Sequence, residues 1–520
     1  MHLPSQLAAL LYVGLVLWLF RRDARERPNV TGALWIPCLW LGISGSRFVS
    51  QWLAIFGLHL GGVSVEEGSP LDALVFFGLI GSGLYVLNQR RVNLAEFVRH
   101  NQWVAIYLAY CLVAILWSDF PFVAFKRWTK LFGQPVMVLI VLTEPDPLEA
   151  VTRLLKRVGY AWILISILFI KYFPDLGRGF SSWTGQPENH GICVDGKNAL
   201  GFDCMLMGVF FFWQFLRTWP RERSKERRNE LILCATFFAA DFWLLHMSQS
   251  STSLVCLLVA MTVIFFTGVR FVNVRRFGFY LLALAVLAAA ADALFGLHDL
   301  VIKELGKDPT LTGRTDVWHV LLHQDINPVL GAGFESFWLG ERVDKINAQF
   351  IGTVFNEAHN GYLETYLNLG CLGLALTFAL VAATFVKSCR ALVHDFDFGR
   401  FRLAYLVAFL IYNWTEAAFR THTPPFFIFF LAGIEYPKLQ LAGAEQAVGV
   451  AGSENELGPA MPEASVNLES DGEHQLPGAA SPTRQLEIAA GPLANDESVV
   501  PSLAPDNRDN GQPPESHFVT

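Results

Sequence analysis

Apolar runs close to the length of a bilayer crossing recur along most of this chain, and they leave few folds open. About 20 consecutive apolar residues carry a helix through the hydrocarbon core of a membrane. There, only helices and closed barrels can satisfy their own backbone groups. Such runs fall at roughly 5–20, 33–53, 70–87, 102–117, 131–143, 158–173, 199–216, 231–247, 252–268, 278–296, 361–386, 403–419 and 425–436. Those at 131–143 and 425–436 are short enough to be interfacial or re-entrant instead. Only 16% of the 520 residues are charged and 53% are hydrophobic, whereas soluble domains carry about 25% charged residues. The expectation is an all-α, polytopic membrane protein of about 12–13 transmembrane helices, not an apolar soluble enzyme. The first run has no basic flank ahead of it. Arg21-Arg22 follow where a small-residue cleavage site would stand, so it reads as a retained span.

The net charge of −7 hides a division. From Ala442 onward the chain has 13 acidic residues and two arginines, which leaves +4 for the remainder. Residues 1–440 read as the membrane domain. Residues 441–520 are rich in Pro, Gly, Ser, Asn and Glu, cannot bury enough apolar surface to fold, and read as a disordered acidic tail. Every second short loop is basic: Arg21 to Arg27, Arg90 to Arg99, Arg153 to Arg157, Arg217 to Arg228, Arg270 to Arg276, and Lys387 to Arg402. The positive-inside bias makes those loops cytoplasmic, along with the tail. The N-terminus and the largest loop, about 297–358, are then outside. The basic runs are short and flank apolar spans, so they suit membrane lipid headgroups and give no nucleic-acid signal. Eight cysteines are scattered without a C-x-x-C pair and read as small buried hydrophobes, neither zinc ligands nor a disulfide framework.

Several positive charges fall on the outer loops against this bias: Lys126, Arg127, Lys130, Arg178, Lys197 and Arg314. Snorkelling to headgroups is the plain alternative for Lys126 and Lys130. The rest of the polar chemistry gathers between Leu311 and Gly373. Arg314 lies in Thr312-Gly313-Arg314-Thr315 and stays charged, able to grip phosphate oxygens bidentately or to pair with Asp308 or Asp316. Asn356 is a candidate N-cap, which would put His359 and Asn360 in the first turn of a helix. A helix N-terminus disfavours imidazolium, so His359 is expected to be neutral and able to accept a proton, or else simply to cap the helix. Asn327 to Gly333 reads as a glycine-hinged re-entry. The loop 174–198 carries Arg178, Trp183-Thr184-Gly185, Glu188, His190 and Lys197, a combination found where sugars stack and also in interfacial belts. Asp203 and Asp241 stand inside spans, where carboxylates are functional by default. Glu416 and Arg420 have the spacing of an internal i,i+4 pair.

Together these residues resemble the O-antigen ligase and polysaccharide polymerase superfamily of bacterial envelope glycosyltransferases. His359-Asn360, nine residues, Gly370, two residues and Gly373 resemble its His-Asn-x9-Gly-x-x-Gly signature. Gly313-Arg314-Thr315, Trp318 and Asn327-Pro328-Val329-Leu330-Gly331-Ala332-Gly333 resemble the family's loop. Trp117-Ser118-Asp119-Phe120-Pro121 with Lys126-Arg127-Trp128, and Trp183-Thr184-Gly185, look most like exopolysaccharide polymerase-type members. Those members carry His-Lys-Asn where this chain has Gly196-Lys197-Asn198, so the histidine is missing.

The resemblance implies transfer of a glycan from an undecaprenyl diphosphate-linked oligosaccharide to a saccharide acceptor. The reaction would run on the periplasmic face of the inner membrane, by a single inverting displacement with no metal or other cofactor. It implies His359 and Arg314 as catalytic residues, with Lys197, Arg178, Arg127, Asn360 and Trp183 binding substrate. Flippase or chain-length regulator proteins are possible partners. Polymerisation of exopolysaccharide repeat units is the leading reading, and ligation to lipid A core the alternative. A transporter of lipid-linked saccharides is the alternative from another class. It would place charges through the membrane interior, whereas here they cluster toward one face.

Overall fold

The computed structural model describes residues 3–26, 28–58, 68–180, 185–194, 196–296, 314–350, 355–421 and 423–436. The tail, the stretch 297–313 and the candidates Trp183 and Asp308 lie outside the described residues. Helices follow one another: α1 Ser5–Arg25, α2 Trp35–Ser44, α3 Val49–Ile55, α4 Pro70–Gln89, α5 Leu94–His100, α6 Gln102–Val113, α7 Pro121–Leu142, α8 Pro147–Tyr172, α9 Pro174–Gly177, α10 Lys197–Thr218, α11 Lys225–Ser248, α12 Ser251–Thr267 and α13 Phe277–Phe295. Next come the short α14 Arg314–Leu322 and α15 Glu341–Asn347, then α16 Gly361–His394, α17 Phe396–Thr415 and α18 Pro424–Gly433. A two-stranded antiparallel ribbon, β1 Arg178–Phe180 with β2 Pro187–Asn189, follows α9.

Among the described residues, α4, α10, α11, α13 with its short 3₁₀ lead-in, and α16 are long and apolar enough to cross a membrane. The α5–α6 pair adds a sixth if its 102° bend is one broken span. Several expected spans take other forms. The 131–143 run is the second half of the 22-residue α7. The 33–53 run is broken at Gly45 into α2 and α3. The 425–436 run shortens to the ten-residue α18, about 15 Å long at 1.5 Å per residue.

Ion pairs sort the helix ends. Arg153 and Arg157, at the start of α8, both reach Asp23 near the end of α1 at 2.7 Å. Lys156 of α8 meets Glu230 of α11 at 2.6 Å. Arg90, just past α4, bridges Glu144 and Thr143 beyond α7. Arg217 of α10 approaches Asp397 at the start of α17. The basic loops that alternate along the sequence therefore gather at one end of the bundle, as the charge periodicity requires. The α10 N-terminus, the α16 N-terminus and the α17 C-terminus lie at the other end.

That second end is not closed by regular helix. After Thr415 the chain runs without helix to Pro424, and it penetrates the bundle. Gln134, in the middle of α7, donates to the Thr421 carbonyl at 3.0 Å, and Tyr405 of α17 donates to the Pro425 carbonyl at 3.1 Å. Irregular backbone at membrane depth is tolerated where it is buried in protein or lines a cavity. Here the break after α17 and the break between α2 and α3 line one cavity of about 130 Å³.

The segment Asn327 to Gly333, expected as a glycine-hinged re-entry, packs back on the chain and explains two glycines. The segment lies against a break inside α16 at Gly370, which has φ +66°. A side chain on Gly370 would stand 2.2 Å from the Val329 carbonyl carbon, and one on Gly331 would stand 2.5 Å from the Asn368 carbonyl carbon. Backbone bonds from Cys371 to Pro328 and from Ala332 to Leu367 fasten the two strands of chain. Trp117 adds a bond to the Leu330 carbonyl at 3.2 Å.

Candidate active site

His359 is held in a left-handed conformation, φ +47°, immediately before α16. The helix starts later than the sequence suggested. Its N-cap is Asn360, not Asn356, and the Asn360 Oδ1 accepts from the Tyr362 and Leu363 amides at 3.0 Å each. This side chain satisfies two of the orphan donors that open any helix. Its Nδ2 donates to the Trp414 carbonyl at 3.2 Å, and the Gly361 amide donates to the Glu416 carbonyl. Asn360 thus ties the start of α16 to the end of α17, and it positions His359 and Glu416 against each other.

The His359 Nδ1 lies 2.9 Å from Glu357 Oε1 and 3.4 Å from Glu416 Oε2. Arg314 Nη2 lies 2.8 Å from Glu416 Oε1, and Arg314 also donates to the Thr415 carbonyl. Arg420 Nη1 holds the other oxygen of Glu357 at 2.6 Å. Asn198 Nδ2 donates to Glu416 Oε1 at 2.8 Å. The expected i,i+4 pair of Glu416 and Arg420 does not form, because the chain after Thr415 is not helical. The two residues instead serve different partners, and Arg314 pairs with Glu416 rather than with Asp316.

These contacts reverse the charge expected of His359. Burial alone would disfavour its imidazolium, yet Glu357 and Glu416 together push its pKa up to about 10. Burial alone would raise the two carboxyls. His359 and Arg420 hold Glu357 down to about 2, and Arg314 and His359 hold Glu416 below the usual carboxylate range. The helix N-terminus that favours a neutral ring is outweighed by two carboxylates within hydrogen-bonding distance. The cluster carries three cations and two anions at neutral pH.

Glu357, His359 and Glu416 also offer donor atoms within 4.8 Å of one another, as a metal site would. Their electrostatics suit a proton better. A divalent ion there would have to displace the ring proton and face the guanidinium groups of Arg314 and Arg420.

The cavity beside this cluster is lined by Glu357, Glu416, Arg420, Asn198, Phe48 and Asp203, among others. Asp203 thus belongs to the site, while Asp241 is buried deeper, against Gly208. A second cavity of about 130 Å³ adjoins it, lined by Arg127, Glu335, Trp338, Asn356 and Glu364, with Arg420 common to both. Arg127 donates to the Glu335 carbonyl at 2.5 Å, and Glu335 accepts from the Thr421 amide. Lys130, one turn further along α7, does not reach outward to a headgroup. Its ammonium lies over the rings of Phe48 and Phe76 at 5.3 and 5.1 Å.

Lys197 opens α10 beside Asn198 and lies 3.9 Å from Glu188, which also meets His190 at 3.2 Å. Arg178 is exposed on the ribbon and donates to the Ile170 carbonyl at 2.8 Å. It lines neither cavity. Of the residues expected in the site, His359, Arg314 and Asn360 converge. Arg127 flanks them through Arg420, Lys197 is adjacent, and Arg178 stands apart. Glu357, Asn198 and the separate roles of Glu416 and Arg420 were missed. Glu357 lies two residues before His359, and that proximity is the signal the sequence offered.

Residues 235–378 match the O-antigen ligase family model. The exopolysaccharide production protein ExoQ of Rhizobium meliloti (strain 1021) is 27% identical over 410 residues, covering 75% of this chain and 86% of that protein. The matched family segment contains Arg314, Glu357 and His359, while Glu416, Arg420, Asn198 and Arg127 come from outside it.

Proposed function

We propose that this membrane enzyme of polysaccharide synthesis, similar to O-antigen ligases over 235–378, polymerises lipid-linked exopolysaccharide repeat units. The donor is a glycan on undecaprenyl diphosphate, the acceptor a sugar hydroxyl, and the working face the periplasm. The observation that carries this reading is the cluster of Arg314, Arg420 and protonated His359 beside a cavity at the end of the bundle opposite the basic loops. A lipid-linked diphosphate presents its charge at that end, and fixed cations in a dry site stabilise it most as it leaves.

In the proposed step the acceptor oxygen attacks the anomeric carbon from the side opposite the diphosphate. The bond from that carbon to the phosphate oxygen breaks, the electron pair leaves with undecaprenyl diphosphate, and the configuration inverts. The hydroxyl proton passes to a carboxylate. His359 is already charged, so the base is Glu357 and His359 contributes positive charge. Donor binding prepares that base. A diphosphate that draws Arg420 toward itself removes one of the cations that hold Glu357 down, and the carboxylate becomes more basic. Arg127 and Lys197 hold the diphosphate or its sugars from the flanks, and Trp183 offers a stacking surface. No step needs a metal, so EDTA is expected to leave the rate unchanged, measured with purified protein and lipid-linked repeat units.

The deciding experiment supplies purified protein with lipid-linked repeat units alone, then with lipid A core added. Chain growth in the first mixture is the expected result. Transfer seen only with lipid A core would make the protein a ligase. No transfer in either mixture would remove the transferase reading.

A further inference from the structure

α14 turns Val317 and Leu321 inward, where they join Phe337, Ile346, Phe355 and Ala358 in a small core. Its opposite face carries His319 and His323, both exposed. A spacing of four on a helix places side chains one above the other. The helical turn continues through His323, whose amide donates to the Val320 carbonyl. The two imidazoles meet with ring centroids 4.3 Å apart and planes tilted by 35°.

One of the two rings is already oriented as a ligand. His323 Nδ1 lies 2.7 Å from the His319 carbonyl oxygen. A carbonyl can only accept, so Nδ1 carries the hydrogen and the lone pair of a neutral ring sits on Nε2, which points away from the backbone. Metal-binding histidines are commonly fixed by such a bond from the other ring nitrogen. Two imidazoles four residues apart on one helical face are also the spacing that binds zinc in helical metal motifs.

We propose that His319 and His323 form a two-imidazole site for a borderline divalent transition-metal ion of the zinc or copper class, with water completing the coordination. Imidazole is a preferred donor for these ions and a poor one for calcium or magnesium. The site is separate from the cluster around His359 and plays no part in the displacement. It does sit on the helix whose first residue is Arg314, so an ion bound there clips two turns of α14 together behind that arginine.

The test uses the full-length protein in detergent, stripped of metal and titrated with Zn²⁺ near neutral pH. Electron paramagnetic resonance with one equivalent of Cu²⁺ runs in parallel. The wild type is expected to show a two-nitrogen copper spectrum. His319→Gln and His323→Gln are each expected to weaken zinc binding about tenfold or more, the loss of one arm of a chelate, and to leave a one-nitrogen spectrum. Both side chains are exposed, and elution as a monodisperse peak checks that the variants fold. Glu357→Gln is expected to keep the zinc affinity. Unchanged affinity and spectrum in the two histidine variants overturn the proposal. So does loss of the ion in Glu357→Gln, which would place it at the buried cluster.

Discussion

Glu416 accepts from three side chains that arrive from distant parts of the chain: Arg314, His359 and Asn198. Nearly buried, it is tolerable as an anion because those donors surround it. Glu416→Gln preserves shape and removes the charge. It is expected to destabilise the site by about 2 kcal/mol, because the partly buried Arg314 is left without its counter-charge. Thermal unfolding in detergent measures this, and His359 should titrate at lower pH in the same variant. The pH dependence has a definite sign. The folded-state pKa of His359 is raised to about 10, so its ion pairs contribute fully below about 6.5 and are lost as pH rises through about 10. Glu357, held down to about 2, loses its contribution only as pH falls through that value. Stability is therefore expected to decline progressively from about pH 6.5 to about pH 10, and His359→Gln should abolish that decline. At this scale the sequence pointed to His359 and Arg314 by residue type. It could not give their charge state, because the carboxylates that set it are brought in by folding: Glu416 lies 57 residues from His359.

At the scale of elements, Asn360 and Gly370 divide one long apolar run into a cap, a first half-helix and a second. The His-Asn-x9-Gly-x-x-Gly spacing was legible in the sequence, but its physical content was not. Asn360 is the cap that fastens α16 to α17. Gly370 is the break that admits the Asn327–Gly333 re-entry. Asn360→Ala removes two cap bonds and is expected to cost about 1 kcal/mol in stability. Its activity should fall further than that figure suggests, because His359 is the adjacent residue. Gly370→Ala faces a backbone conformation at φ +66°, ψ −169° that only glycine adopts readily, worth about 1–3 kcal/mol. It also faces a carbonyl carbon 2.2 Å from the new methyl group. Reduced thermal stability and faster proteolysis near Val329 are the expected signs. Full stability in this variant would show that the re-entry is not fastened as described. The helix end at Thr415 was placed four residues too late, because Ala417-Ala418-Phe419 continue the apolar run past Glu416. The Gln134 side chain, which donates to the Thr421 carbonyl, marks backbone there that no helix satisfies.

For the whole molecule, the alternation of basic loops anticipated which helix ends lie together. The ion pairs among Asp23, Arg153, Arg157, Lys156 and Glu230 draw those loops into one layer. The number of regular spans was harder to read, since hydropathy sees composition and not the breaks at Gly45 and after Thr415 that open the cavity. The acidic tail is set apart by composition, and such a segment is not expected to fold. Deletion after Lys438 is accordingly expected to leave polymer formation intact. The reading of this protein as a periplasmic transferase depends on which membrane face receives the cavity, and charge decides that. The end bearing the basic loops should stay in the cytoplasm, so the His359 end is expected to face out. Glu222 lies exposed at the first end and Lys345 at the second. In a background where the exposed Cys371 is replaced by serine, Lys345→Cys is expected to react with a membrane-impermeant maleimide on intact spheroplasts. Glu222→Cys should react only after lysis. The opposite pattern would turn the cluster of arginines and imidazolium toward the cytoplasm, where a flipped lipid-linked donor is not presented, and the proposed reaction would lose its substrate.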